Sequence, residues 1–167
     1  YGDHRDLHLS IRRQRQMCIR DRYKFEQLDN LEGDDVLGLL ATNKKYNDPI
    51  IVSPDKDMRT IPCKLIAKDD IELITKRKAD RAWMSQSLSG DTTDNYKGLE
   101  KVGAVTAEKI LGDTNTLEDM WKKVTEAYQK KGQTIKEAIL TARLARILRE
   151  GDYNYTTGEV KLWNPKF

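Results

Sequence analysis

The pattern that most constrains the fold is a helix pattern followed closely by a short, continuously apolar strand pattern. In residues 31–42, LEGDDVLGLLAT, apolar residues recur at helical spacing behind an acidic first turn, which predicts a helix of about three turns that ends near Asn43. Ile50, Ile51 and Val52 then follow a proline. A run without polar alternation is typical of a strand buried on both faces of a parallel sheet. Together the two patterns predict an α/β fold.

The remaining patterns divide into a strand-containing part and a helical part. Apolar stretches at residues 63–66 and 71–74 favour further strands, and Trp83, Met84 and Leu88 predict a helix that leads into SGDTTDN. The glycine-containing turn TTGE, between YNY and VKLW, predicts a closing hairpin. The helical patterns between them are a glycine-bearing turn with a short helix at residues 98–112, a helix at 116–129, and a helix at 134–149 with Ala145 and Leu148 on its apolar face.

Composition narrows the class of protein. The chain has 167 residues, enough for about one domain with a core, and its 38% apolar and 34% charged residues are typical of a soluble globular protein. No apolar run approaches the roughly 18 residues that a membrane span needs, so we expect a cytoplasmic protein without membrane contact. Its two cysteines, Cys18 and Cys63, form no Cys-x-x-Cys pair, which argues against a structural zinc site.

Residues 1–22 differ from the rest of the chain. They are rich in arginine and show no sustained period, so we expect either a sequence artefact or a disordered basic arm. Both histidines, His4 and His8, lie in this segment, and residues 23–167 contain none. A Ser-His-Asp triad and a histidine-ligated metal are therefore excluded from the rest of the chain. Catalysis there must depend on carboxylates, lysines or metals held by oxygen.

Seven acidic residues form three short groups at predicted turns. Because the carboxyl ends of strands and the adjoining helix starts face one crevice in an open α/β sheet, the groups at the first helix and after the first strand are expected to converge. Crowded carboxylates raise one another's pKa unless cations neutralise them, and oxygen ligands select Mg²⁺ or Mn²⁺ over Zn²⁺. The groups are Glu32, Asp34 and Asp35 at a helix start, Asp55 and Asp57 after a strand, and Asp91 and Asp94 in SGDTTDN.

Each of these features also has a structural explanation. Acidic residues are favoured in the first turn of any helix, and Asp-x-Asp occurs in plain loops. The stretch GLEKVGAVTAEK can be an ordinary glycine-capped turn between helices. The acidic spacing lacks the glycine-centred twelve-residue loop of an EF-hand, which disfavours a calcium-binding structural protein.

Four segments resemble motifs of the 5′→3′ exonucleases of flap-endonuclease type, above all those of T7-like podophages, in order and spacing. The resemblance covers residues 23–167 and implies the C-terminal part of such an exonuclease. It implies a partial PIN-like parallel-sheet core at residues 23–90, and a DNA-binding helical subdomain with a helix-three-turn-helix and a C-terminal hairpin at 91–167. The segments are LEGDDVLGLLAT, IIVSPDKDM, SLSGDTTDNYKGLEKVGAVTAEKIL and ARLARILREGDYNYTTGEVKLW.

The resemblance also implies a site for two Mg²⁺ ions, with Mn²⁺ as the alternative ion. All seven acidic residues match metal-binding positions of the family, and we assign a catalytic role to Asp35, Asp55 and Asp57. The glycine turn implies amides that approach duplex phosphates, together with a monovalent cation site. Lys101 stands where many relatives have glycine. The DNA-contact residues assigned to this turn and its helix are Gly98, Lys101, Gly103, Thr106 and Lys109.

The expected function is that of a magnesium-dependent 5′→3′ exonuclease acting on duplex DNA, or on the RNA of RNA–DNA hybrids. Its place of action is the cytoplasm of a phage-infected cell, and its protein partners are unknown. The alternative is a non-catalytic DNA-binding module with a relic acidic site.

The positions of the arginine and aromatic side chains in the helical part are also predicted. Arg143, Arg146 and Arg149 are expected on a solvated face, and Trp121, Tyr153, Tyr155 and Trp163 are expected in the core of the helical part.

Overall fold

The structure, a computed structural model, describes Lys24 and residues 26–165. The segment 1–22, with its two histidines and Cys18, lies outside the described residues. The described part is a mixed α/β fold of five α-helices, one 3-10 helix and seven short strands. No helix among the described residues is both long enough and apolar enough to cross a membrane.

The helices and strands alternate in the first half of the chain, and helices dominate the second half. The helices are α1 (Gly33–Thr42), the 3-10 helix η1 (Lys56–Thr60), α2 (Lys76–Ser89), α3 (Ala104–Leu111), α4 (Leu117–Lys130) and α5 (Ile135–Leu144). The strands are β1 (Ile50–Val52), β2 (Lys64–Ile66), β3 (Ile71–Leu73), β4 (Gly90–Asp91), β5 (Tyr96–Lys97), β6 (Tyr153–Asn154) and β7 (Glu159–Val160).

The first sheet has the order β1-β2-β3 and is mixed, because β1 pairs with β2 in parallel and β3 pairs with β2 antiparallel. Only one of its faces is covered: Ile51 and Leu65 are buried, whereas Ile50 and Val52 on the opposite face are exposed. The predicted parallel pairing is found between β1 and β2 only, and the prediction that β1 is buried on both faces is wrong. The apolar run does form a strand, but its side chains alternate between the core and solvent.

Helix boundaries follow local capping groups. Helix α2 begins before its apolar pattern because the Thr75 hydroxyl accepts a hydrogen bond from the Lys78 amide. Helix α5 begins with a reciprocal capping box between Thr134 and Glu137. It ends at Leu144, so the helix predicted to reach residue 149 is five residues too long.

Three apolar clusters hold these elements together. The largest, which includes Trp83, Met120 and Tyr128, lies among α2, α4 and α5. A second cluster lies against the covered face of the first sheet and includes Ala79 of α2. Helix α2 therefore belongs to both cores and fixes the sheet against the helical part. The third cluster joins Leu39 of α1 to Leu148 and Tyr153.

The aromatic residues partly follow the predicted burial. Trp121 and Tyr153 are buried, and Trp163 stacks edge-on against Trp83 and Trp121 with ring centroids 4.9 Å apart in each pair. Tyr155 is 55% exposed, so its prediction as a core residue is wrong. It rests edge-on against Tyr153 at the surface of the closing hairpin.

The solvated arginine face predicted for α5 is also wrong. The guanidinium of Arg146 pairs with Asp152 at 2.6 Å and lies over the Trp83 ring, and that of Arg149 pairs with Asp80 at 2.6 Å. Arg143 Nε donates a hydrogen bond to the Trp163 carbonyl. Arg143 lies in α5 itself, whereas Arg146 and Arg149 follow the end of the helix, where the chain no longer keeps them on a helix face.

Candidate metal centre and the adjoining turn

Three of the predicted acidic residues meet in an acidic cluster, defined here as Asp57, Asp91 and Asp94. One carboxylate oxygen from each lies within 4.8 Å of the others. Asp57 comes from η1, just after β1, whereas Asp91 is in β4 and Asp94 follows it in the turn before β5. The cluster thus joins the carboxyl end of a strand to the chain that leaves the C-terminus of α2.

Hydrogen bonds fix the orientation of the cluster. The Asp55 carboxylate caps η1 by accepting a hydrogen bond from the Asp57 amide at 2.9 Å. Gln86 Nε2 donates to Asp57 Oδ1 at 3.0 Å, and the Thr93 amide donates to Asp91 Oδ1 at 2.7 Å. Two of the three carboxylates are therefore held by groups outside the cluster.

One lysine supplies a positive charge to the cluster. Lys56 Nζ lies 2.6 Å from Asp91 Oδ2, and this hydrogen bond is the main reason why the pKa of Asp91 is lowered to about 2. The Asp91 side chain is 3% exposed, whereas that of Lys56 is 66% exposed. A buried carboxylate is thus neutralised by a flexible side chain that reaches in from solvent.

The other acidic groups remain short of positive charge. Burial, followed by the charge of Asp55, raises the pKa of Asp57. Burial also raises the pKa of Asp34, with further contributions from the charges of Asp55 and Asp94. The first turn of α1 therefore lies within electrostatic reach of the acidic cluster. An added cation stabilises the ionised form of carboxylates that are partly buried and close to other negative charges.

Tyr96 contributes a polar group that the sequence did not indicate. It lies directly across the β4–β5 pair from Asp91 and is 8% exposed. Its hydroxyl has no hydrogen-bond partner among the described residues. Burial, and then the charges of Asp91, Asp57 and Asp94, raise the pKa of the Tyr96 phenol. The phenol therefore keeps its proton and is a free donor beside the acidic cluster.

The other sequence-predicted acids lie at or beyond the edge of this cluster. Asp55 is exposed and caps η1, and Glu32 is the exposed N-cap residue of α1, where its side chain makes no capping bond. Asp35 Oδ1 accepts a hydrogen bond from the Leu148 amide at 3.0 Å, so this oxygen holds the chain after α5. The catalytic and metal roles assigned to these residues remain predictions.

The chemistry of the donor set fits a hard divalent cation. The acidic cluster offers carboxylate oxygens alone, without a sulfur or imidazole ligand. Such oxygen sets favour Mg²⁺ or Mn²⁺ over softer metals. The ammonium of Lys56 already occupies the position of a cation at Asp91, and the Tyr96 hydroxyl remains without a partner in the described chain.

The glycine turn lies next to the acidic cluster. A cavity of about 600 Å³ is lined by Asp91 and Tyr96 from the cluster side and by residues 97–103 from the turn. Gly98 packs so closely on the end of α2 that a Cβ atom would collide with the Leu88 carbonyl oxygen. The acidic cluster and the glycine turn therefore line the same cavity.

The predicted DNA-contact residues have different positions in this turn. Lys101 adopts a left-handed backbone with φ of 62°, which is the conformation that glycine adopts most readily. The lysine thus stands at a backbone position where glycine would be less strained. Gly103 is the exposed N-cap residue of α3, and Thr106 and Lys109 are exposed on that helix. Gly98 has a packing role instead, because it contacts the end of α2.

Sequence reasoning did not identify three neighbours of the acidic cluster. Lys56 stands between two predicted ligands in Asp-Lys-Asp, and Tyr96 follows Asp94 by two residues, so adjacency was an available signal for both. Gln86 lies 29 residues from Asp57 in the chain, and no spacing pattern links the two.

The chain is similar to exonucleases from two phages and one bacterium. It is 31% identical to the exodeoxyribonuclease of Enterobacteria phage T3 in an alignment of 183 positions that covers 89% of this chain and 58% of that protein. It is 29% identical to the exonuclease of Escherichia phage T7, with the same coverage of 89% and 58%. The 5′-3′ exonuclease of Buchnera aphidicola is 28% identical over 83% of this chain and 54% of that protein.

These relatives are longer than the part that aligns. The chain spans between 54% and 58% of their length. No protein-family model matches the chain, and no solved structure matches it. Over 89% of its length the chain is therefore similar to the exodeoxyribonuclease of phage T3 and to the exonuclease of phage T7.

Proposed function

We propose that the protein is a magnesium-dependent 5′→3′ exonuclease that hydrolyses duplex DNA from its ends. The observation that carries the proposal is the convergence of carboxylate oxygens from Asp57, Asp91 and Asp94 within 4.8 Å of one another. The phage T3 relative is named an exodeoxyribonuclease, which supports DNA as the substrate. RNA within an RNA–DNA hybrid is the alternative substrate, because the same backbone phosphates would reach the site.

The described residues would hold and orient the metal ligands. Asp57, Asp91 and Asp94 would bind the cation directly, and Asp34 and Asp55, whose charges interact with this group, are the candidates to hold a second ion. Gln86 and the amide of Thr93 keep two of the carboxylates in place. Divalent ions in such sites lower the pKa of bound water and stabilise charge at the scissile phosphate.

The glycine turn and α3 would bind the duplex backbone beside this centre. The N-terminus of α3 at Gly103 presents free amides and the positive end of the helix dipole. Lys101 and Lys109 are exposed and would add positive charge near the phosphates. In this proposal residues 23–90 form a PIN-like nuclease core that holds the post-strand acids. Residues 91–167 form the helix-three-turn-helix subdomain with its hairpin, where a monovalent cation is a further candidate ligand.

The activity can be tested by removing two of the carboxylates. The double variant Asp57→Asn, Asp91→Asn is expected to lose magnesium-dependent cleavage of a 5′-labelled duplex by at least about a hundredfold, since even groups that only orient metal ligands are worth about 10- to 100-fold. Asp113→Asn is the matched control, because Asp113 is an exposed acid in the turn after α3. Cleavage by the double variant at the rate of the control would remove both residues from the mechanism.

A non-catalytic DNA-binding module with a relic acidic site is the second candidate. It is favoured by one observation, the Lys56 ammonium that already neutralises Asp91. This function predicts DNA binding that weakens steeply with salt but does not change when Mg²⁺ is replaced by EDTA. Fluorescence anisotropy of a labelled duplex, with cleavage followed in the same samples, distinguishes the two functions.

A further inference from the structure

Lys56 has a contact that the proposed function leaves unexplained. Its ammonium donates to Asp91 Oδ2 at 2.6 Å, and the charges of Asp57 and Asp94 also act on it. A cationic side chain thus lies where the proposed function requires a metal ion.

The two partners of Asp91 differ in how easily they can leave. Oδ1 accepts from the backbone amide of Thr93, which is fixed by the turn between β4 and β5. Oδ2 accepts a hydrogen bond from the Lys56 ammonium, which is carried on a flexible four-carbon stem. The Lys56 side chain is 66% exposed. Of the two, only the lysine can withdraw without a change in the backbone.

A divalent ion on Asp91 Oδ2 and the Lys56 ammonium would be neighbouring positive charges. Their repulsion at this separation favours withdrawal of the lysine, and solvent is directly available to it. A DNA backbone phosphate beside the metal centre would be an anion that the released ammonium could bind, and lysine binds phosphate well as a compact point charge.

We propose that Lys56 is an exchangeable counter-ion of the metal centre. Its ammonium neutralises Asp91 in the metal-free protein, is displaced when a divalent cation binds, and then binds a DNA phosphate next to the centre. Lys56 is therefore a positioning residue that couples metal loading to substrate binding. This inference rests on the proposed function, because it requires that Asp91 binds a divalent ion.

The first test measures Mn²⁺ binding to the full chain by isothermal titration calorimetry. Lys56→Met is expected to bind Mn²⁺ about tenfold more tightly than the wild type, because the competing charge has gone. Lys97→Met is the matched control, since Lys97 is an exposed lysine in the neighbouring strand β5 that makes no hydrogen bond to Asp91. Lys56→Arg keeps the charge and is expected to bind Mn²⁺ within about twofold of the wild type.

Thermal denaturation gives a readout that does not depend on activity. Without metal, Lys56→Met is expected to melt below Lys97→Met because the buried Asp91 carboxylate has lost its counter-ion. Saturating Mn²⁺ should then raise the melting temperature of Lys56→Met more than that of the control.

The second test follows DNA binding with Ca²⁺ in place of Mg²⁺. Lys56→Met is expected to weaken duplex binding in Ca²⁺ but not in EDTA, and Lys56→Arg should restore the Ca²⁺-dependent part. Equal Mn²⁺ affinity in Lys56→Met and Lys97→Met, with magnesium-dependent cleavage intact, would overturn the counter-ion role alone. If neither the wild type nor Lys56→Met binds Mn²⁺, the proposed metal-dependent function fails, and this inference fails with it.

Discussion

Two groups of charged residues contact α2 and differ in how well they are neutralised. In the arginine cluster, defined as Asp80, Arg146, Arg149 and Asp152, each carboxylate faces a guanidinium at 2.6 Å. In the acidic cluster, three carboxylates share the ammonium of Lys56. Fully paired charges such as those of the arginine cluster are typical of residues that stabilise a fold. The unbalanced charge of the acidic cluster is costly unless a ligand supplies the missing positive charge, and this makes it the candidate functional site.

The largest expected effect comes from unbalancing the arginine cluster. Asp80→Asn removes the partner of Arg149, whose side chain is only 11% exposed, and should lower the free energy of unfolding by about 3 kcal/mol, as removal of one partner of a buried pair does. Urea denaturation measures the change. Asp48→Asn is the control, because its pair with Lys64 is largely exposed and should contribute less than about 1 kcal/mol. Equal losses in the two variants would show that burial does not distinguish these pairs.

The same chemical change in the acidic cluster should have the opposite sign. Asp57→Asn removes a carboxylate whose pKa is raised by burial and by Asp55, so the metal-free protein should gain about 0.5 kcal/mol of unfolding free energy. It should also lose most of the stabilisation by Mg²⁺, which for an intact site is about 2.7 kcal/mol at a hundred times the dissociation constant. Denaturation with EDTA and with Mg²⁺ measures both effects. A loss of stability in EDTA would mean that Asp57 is already neutralised.

The pH dependence of stability tests the same imbalance. The pKa values of Asp34, Asp35 and Asp57 are raised above 3.8 in the folded protein, so the native state binds more protons than the unfolded chain. Their contribution to stability is fully present below the unfolded pKa near 3.8 and is lost as the pH rises through their folded values. Asp91 acts in the opposite way, because its pKa of about 2 makes its contribution disappear as the pH falls from about 4 towards 2.

The metal-free protein should therefore gain unfolding free energy from the acids with raised pKa when the pH falls from neutral to about 4. Saturating Mg²⁺ should remove this gain, because the ion binds the ionised carboxylates. The comparison requires chemical denaturation at both pH values, in Mg²⁺ and in EDTA, with Asp57→Asn as a variant in which the gain is smaller. An equal gain in Mg²⁺ and EDTA would assign it to groups outside the acidic cluster.

The order of helices and strands was largely readable from the sequence. Apolar spacing and the TTGE turn are local signals, and the predicted helices and strands lie close to described ones, whereas η1 and the short pair β4–β5 were not predicted. The burial of β1 was not readable, because an apolar run does not reveal whether a second layer covers the sheet. The end of α5 was missed for a related reason. Leu148 continues the apolar spacing, but it lies beyond the end of α5 and packs on Leu39 of α1, a contact that helical spacing cannot reveal.

The sequence indicated which residue types form the site but not how they are arranged. Crowded acids without histidine indicated oxygen-bound divalent metals, and three of them do meet. Spacing could not show that Asp35 holds the Leu148 amide or that Lys56 binds Asp91, since these bonds join residues 113 and 35 positions apart. The arginines after α5 had the same helical spacing as a solvated face, and only tertiary contact distinguishes the two.

Backbone strain distinguishes the two regions as well and leads to the smallest expected effect. The turn beside the acidic cluster has non-glycine residues with positive φ, Asn95 at 57° and Lys101 at 62°, whereas the chain after α5 places Gly151 at its positive-φ position. Lys101→Gly should relieve roughly 1 kcal/mol of left-handed strain, offset in part by the greater freedom of glycine in the unfolded chain. The net gain in unfolding free energy is therefore expected to be about 0.5 kcal/mol. Lys97→Gly is the control, because glycine at this strand position should cost about 0.5 to 1 kcal/mol. Urea denaturation of both variants decides the matter, and a loss in Lys101→Gly would mean that the lysine side chain stabilises this turn by more than its backbone costs.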